Sequence, residues 1–177
     1  MLRWDRELED WIAAHRIGFL DPLAEALTYV GTWGLVWLVI ALVLAVRSRH
    51  LAVLGWTLTA DVLAHVTSNA LKAATDRARP DVEALVGSPS TSSFPSGHAA
   101  SSFACATVLA AFAPSLRLPL FVLAGGIAVS RAYVGVHFPL DVLAGAVLGL
   151  AVGAFVLRAL RPLAAGLRRS RPAPRRG

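Results

Sequence analysis

The stretch with the most chemical capacity begins at Ser130-Arg131 and continues, after five residues, to His137, then Pro139 and Asp141. It reads as the end of one apolar helix, a short loop and the start of another. Proline is tolerated in a helix's first turn, where the amide it lacks would have no partner. His137 then stands at the mouth of that helix, with Asp141 one turn on. An aspartate four residues after a histidine can accept the ring's Nδ1 proton, leaving Nε2 bare as a nucleophile or a base. Arg131 adds a planar cation of the kind that holds phosphate. A His and an Asp capping a surface helix would look the same, so the reading depends on the rest of the chain.

Two further clusters bear on it. Lys72 is followed, after six intervening residues, by Arg79-Pro80. Two helical turns separate the cations, so they can point the same way where a helix ends, although snorkelling at a membrane boundary would place them similarly. Pro95-Ser96-Gly97-His98 opens the next apolar run. Ser96 is a good N-cap, Gly97 lets a ligand approach the backbone, and the free amides of a helix start face any anion above them. His98 places a proton donor beside that anion.

The elements that must position these residues are membrane helices. Of 177 residues 56% are hydrophobic, and the mean hydropathy of +0.61 is far above that of a soluble globular domain. The fold class expected is an all-α polytopic bundle. Five clear crossings are expected, over residues 33 to 46, 51 to 73, 96 to 113, 118 to 134 and 138 to 157. Residues 3 to 15, with Trp4, Leu8, Trp11 and Ile12 at helical spacing among charges, suggest a helix lying in the interface. Residues 18 to 31 are too short to span a core of about 30 Å and read as a tilted or partly inserted helix, a sixth crossing only if it traverses. The chain divides into an N-terminal segment 1 to 32, a core 33 to 160 and a basic tail 161 to 177. The charged start is no cleavable signal peptide. Cys105, the single cysteine, excludes an intramolecular disulfide and a thiolate metal cluster.

Charge sorts the loops. The net charge is +6, and seven arginines lie between Arg158 and Arg176 with no acid after Asp141. With Arg47, Arg49 and Arg117 they define one side of an alternating path, the cytoplasm, and the tail reads as a lipid anchor rather than a nucleic-acid arm. The loops with Lys72, Arg77, Arg79 and Arg131 then face outward against the positive-inside rule, which binding an anion would explain. Asp61, His65, Asn69 and Lys72 share one face of a span, as a structural pair or as support for Lys72. Asp76, Asp81 and Glu83 read as solvated loop charges rather than metal ligands.

Taken in order, Lys72 to Arg79-Pro80, Pro95-Ser96-Gly97-His98, and Ser130-Arg131 to His137 to Asp141 resemble the tripartite signature of the type 2 phosphatidic acid phosphatase superfamily. That superfamily also includes glucose-6-phosphatase and the vanadium haloperoxidases. The resemblance covers residues 60 to 157. It implies a helical core with the site at the outer ends of the helices, and a metal-independent phosphatase without a cofactor. It implies His137 as a nucleophile forming a phosphohistidine, Asp141 orienting it, and His98 as general acid and then base. Lys72, Arg79, Ser96, Gly97 and Arg131 would hold the phosphoryl oxygens. The partners expected are a lipid phosphate substrate and membrane lipids, with no nucleic acid.

The expected location is the plasma membrane, with the site outward and the tail cytoplasmic. The substrate expected is a polyprenyl diphosphate such as undecaprenyl diphosphate, because beyond the 75 to 95 loop there is little polar material to grip a sugar or glycerol headgroup. Phosphatidate, phosphatidylglycerol phosphate and a decorated polyprenyl phosphate are the alternatives. A vanadate-dependent peroxidase, or a non-enzymatic transporter or scaffold, are the rival classes.

Overall fold

The computed structural model describes residues 2 to 169, with side chains to residue 160; residues 170 to 177 of the basic tail lie outside the described residues. The described chain is all-helical: α1 (Arg3–Ala14), α2 (Asp21–Val30), α3 (Leu35–Ser48), α4 (Ala52–Thr75), α5 (Gly97–Phe112), α6 (Arg117–Tyr133) and α7 (Pro139–Arg169). No strand occurs among the described residues.

α5 is the axis. It packs against α4, α6 and α7, and its faces feed two apolar clusters. Cys105, Ala106 and Leu109 meet Trp37, Ala41 and Ala45 of α3 and Leu120, Ala124 and Ile127 of α6. Ala100, Ala104 and Val108 meet Ala60 and Ala64 of α4 and Val152 and Val156 of α7. Sheathed in this way, α5 does not need the length or apolarity of a lipid-facing helix. That explains why the expected five crossings are not all recognisable by composition. α6 with its preceding turn (Pro114–Tyr133) and the stretch Pro139–Leu160 of α7 are long and apolar enough to cross, and α2 with α3 makes a third if counted as one bent span. α4 has 24 residues, about 36 Å of helix; its polar residues Asp61, His65, Ser68 and Lys72 cost it hydropathy.

The helix expected at 18 to 31 is the first member of that bent pair. α2 runs down beside α6: the Tyr133 hydroxyl donates to Asp21 at 2.7 Å, and Thr28 Oγ1 meets Ser130 Oγ at 2.9 Å. The axis turns by 54° between Val30 and Leu35. Trp33 and Gly34 hold positive φ there, 56° and 66°. A Cβ on Gly34 would sit 2.3 Å from the Asp61 carboxylate, so this position needs glycine for space as well as for backbone. Asp61 accepts from the Ser101 hydroxyl and lies 3.6 Å from His65 Nε2. It therefore serves the bend and the α4–α5 contact. Lys72 is held elsewhere, by loop carbonyls.

α1 was expected in the membrane interface, and its orientation is specific. Trp4, Leu8 and Trp11 are exposed, whereas Asp5 and Glu9 are completely buried against the bundle. Burial pushes the Glu9 carboxyl up to about 8.

α7 lies against α5 through a glycine ladder. A Cβ on Gly145, Gly149 or Gly153 would meet the carbonyl oxygens of Ser96, Ala100 and Ala104 at 2.4, 2.3 and 2.8 Å. Lipid chains are as apolar as leucine, so close van der Waals approach rather than water exclusion holds such helices together. The ladder also fixes the start of α7 against the start of α5. Gly149→Ala should therefore lower stability in detergent by about 1–3 kcal/mol. Gly55→Ala, where a Cβ meets nothing within 4 Å, should be neutral or stabilising by roughly 0.5 kcal/mol. Thermal unfolding of the two variants checks the contrast.

Candidate active site

The three clusters meet at the end of the bundle where α4 and α6 finish and α5 and α7 begin. His137 lies in the α6–α7 loop, 3% exposed. Its backbone amide donates to the Arg131 carbonyl at 3.2 Å, which ties the loop to the last turn of α6. Its Nδ1 faces Asp141 Oδ2 at 3.5 Å, and its Nε2 lies 3.4 Å from Arg79 Nη1. A proton on Nδ1 and a lone pair on Nε2 satisfy both neighbours, the tautomer expected for this spacing.

Asp141 is completely buried. Its Oδ2 accepts from the Phe138 amide at 3.0 Å, an N-cap contact for α7. Its Oδ1 accepts from Arg77. Its backbone carbonyl accepts from the Ser96 amide at 2.9 Å, joining the start of α7 directly to the start of α5. Ser96 is buried and caps α5, its hydroxyl accepting from the Ala99 amide. Gly97 is partly exposed above it. His98, one residue on, has an Nε2 without a hydrogen-bond partner.

The cations converge. Lys72 Nζ, in the last turn of α4, donates to the Ser92 carbonyl at 2.7 Å. Arg79 donates to the Thr91 carbonyl at 2.9 Å and the Val136 carbonyl at 2.6 Å. Arg131 is buried at the end of α6 with its Nε unpartnered. Burial pushes the His137 ring down to about 4, against the opposing Asp141 contact, and Arg79, Arg131 and Lys72 push it the same way. The ring is therefore neutral at neutral pH. Three cations around a neutral, oriented imidazole make a site shaped for an anion that carries a reactive centre. Among the described residues no three His, Cys, Asp or Glu side chains are grouped to hold a metal ion.

The loop between α4 and α5 is a folded cover. The Arg77 amide donates to Ser92 Oγ at 2.9 Å, the Ser93 amide and hydroxyl donate to the Arg77 and Ala78 carbonyls at 2.8 and 3.0 Å, and the Leu85 amide donates to the Val134 carbonyl at 3.0 Å. Ala84, Leu85 and Val86 pack on Val134, Val136 and Ala24. Asp76, Asp81 and Glu83 are exposed, as solvated charges should be. Two residues acquire a place that spacing did not reveal. Arg77, read only as one of several outward cations, bridges Asp141 and Asp5. Asp5 enters from α1. Its offset of four from Glu9 marks a polar face on α1, but nothing in the sequence says that this face turns inward.

A family model described as the PAP2 superfamily matches residues 50–163. The chain belongs to the PAP2 superfamily. The decaprenylphosphoryl-5-phosphoribose phosphatase of Mycobacterium tuberculosis is 39% identical over 140 residues, 75% of this chain and 76% of that protein. Among solved structures, the transmembrane PAP2 type phosphatidylglycerolphosphate phosphatase from Bacillus subtilis superposes with a TM-score of 0.75 at 25% identity, covering 94% of this chain and 87% of that one. LpxE from Aquifex aeolicus gives a TM-score of 0.71 at 32% identity, covering 86% and 93%. This PAP2 protein is accordingly a membrane lipid phosphatase. The PAP2 match starts at residue 50, so α1, α2 and α3 lie outside it.

The ring of His137 provides a direct check on the electrostatics of this PAP2 site. In histidine-labelled protein, with His137→Ala supplying the assignment, its NMR titration should centre near 4. Arg79→Gln removes the nearest cation and should move the midpoint upward. A wild-type midpoint in the ordinary histidine range of about 6.5 would contradict the arrangement.

Proposed function

We propose that this lipid phosphatase removes the terminal phosphate from a phosphorylated sugar carried on a polyprenyl phosphate, through a phosphohistidine on His137. The observation that carries the reaction is the buried His137 ring held between Asp141 and Arg79. Nε2 attacks phosphorus while the bond to the leaving oxygen breaks, and His98 gives that oxygen a proton. Water then attacks the phosphohistidine, His98 takes its proton, and inorganic phosphate departs with the nitrogen restored. Lys72, Arg79 and Arg131, with the α5 start at Ser96 and Gly97, stabilise the charge on the three transferring oxygens. These cations supply the electrostatic stabilisation, so the route needs neither a metal nor a cofactor.

Two observations favour a decorated polyprenyl phosphate over undecaprenyl diphosphate. One is the activity in the name of the mycobacterial relative. The other is a cleft of about 480 Å³ beside Arg79, lined by Asp76, Arg77, Ser88, Ser90, Thr91 and Ser92. A bare diphosphate needs no such hydroxyl-rich wall, and a pentose does. The cleft thus lies in the 75 to 95 loop, the one stretch of polar material that the sequence offers for gripping a headgroup.

In the membrane, α2 with α3, then α4, α5, α6 and α7, make five crossings. The site, α1 and the N-terminus face outside and the basic tail inside, a reading supported by Arg47, Arg49 and Arg117 at the end opposite His137.

Phosphate release by the purified protein in one detergent decides the substrate. kcat/KM for decaprenylphosphoryl-5-phosphoribose should exceed that for undecaprenyl diphosphate and phosphatidylglycerol phosphate by about tenfold or more. A tenfold preference for either of the others would overturn the choice.

A further inference from the structure

α1 lies outside the matched family region, yet one of its side chains reaches the catalytic dyad. Asp5 is completely buried. Its Oδ2 accepts from Arg77 Nη2, while Arg77 Nη1 donates to Asp141 Oδ1. Its Oδ1 accepts from the Leu140 amide at 2.9 Å, in the first turn of α7. The Arg77 guanidinium also stacks over Phe138, 4.4 Å from the ring centroid. One carboxylate from α1 therefore grips both the arginine behind Asp141 and the backbone that presents it.

A buried carboxylate facing a histidine is free to turn unless its second oxygen is held. Arg77 holds that oxygen, and Asp5 holds Arg77. We propose that Asp5 and Arg77 are positioning residues for the Asp141–His137 dyad, which makes the N-terminal helix a working part of the site. The proposal rests on the catalytic role given above to His137. Arg77 differs from Lys72, Arg79 and Arg131 in kind: its two outer nitrogens are committed to carboxylates, so it orders the dyad and does not bind the phosphoryl group. The other charged or titratable groups that act on the His137 surroundings are Lys72 of α4, Arg79 of the cover, His98 of α5 and Arg131 of α6, with Glu9 of α1 near Asp141.

Asp5→Asn keeps the oxygen that caps Leu140 and removes the charge. With dioctanoyl phosphatidate as probe and the full-length protein in detergent, it should lower kcat about tenfold with KM unchanged, and Arg77→Met about a hundredfold. The double variant should fall within about twofold of Arg77→Met, because Asp5 acts through Arg77. Glu7→Gln, which breaks only the exposed pair with Arg3, should turn over as wild type. The NMR titration of His137 gives a reading independent of turnover. Losing the Arg77 charge should raise its midpoint, and losing the Asp5 charge should lower it. Asp5→Asn with wild-type kcat and an unmoved titration overturns the proposal, and so do losses that multiply in the double variant. A wild-type protein that releases no phosphate from any lipid phosphate defeats the catalytic reading instead, and the opposed titration shifts then decide the positioning role alone.

Discussion

The structure depends on how the Asp141 carboxylate is accommodated. A buried carboxylate costs several kcal/mol unless its surroundings replace water. Here the Phe138 amide, Arg77 and the face of His137 do so, while the Asp141 carbonyl takes the Ser96 amide. Those contacts lock the starts of α5 and α7 to each other and to the cover. Because Arg77 is shared with Asp5, the same contacts also fasten α1 across the top of the bundle.

The bundle below is built to keep that end still. α5 contributes alanines to both apolar clusters and bare carbonyls to the glycine ladder of α7, so its first turn cannot slide relative to His137 without breaking backbone contacts. Asp61 does the corresponding work lower down, where it meets Ser101 and the glycine that lets α2 turn into α3. Polar residues inside a membrane bundle usually mark function, and here one of them serves architecture near the site.

Much of this was legible in the chain. The helices were readable to within a few residues from apolar runs and their stop signals, except that α7 runs on to Arg169 rather than ending near 157, into the stretch expected as tail, and three clusters at their spacings pointed to phosphoryl chemistry and to the family. What was not legible has a common physical cause. Whether an amphipathic helix turns its polar or its apolar face to the protein depends on what that protein offers, and the buried Asp5 finds its partners in Arg77 and Leu140, more than sixty residues away. Arg77 looked like another phosphate-binding cation because spacing cannot distinguish an arginine that meets a carboxylate from one that meets a phosphate. α4 and α5 were legible as helices, but not as enclosed ones that need not be uniformly apolar. The cover at 76 to 95 was read for its charges alone, yet its small apolar turn at Ala84 to Val86 packs on the site's own loop.

The central claim is that phosphate passes through His137, and the most direct measurement is to catch it there. Protein mixed with a lipid phosphate labelled in its terminal phosphoryl group and quenched in alkali within the first turnover should carry the label on His137, stable to base and released by acid. His137→Ala should carry none. A label on any other residue, or turnover without a label at the earliest times, would contradict the account.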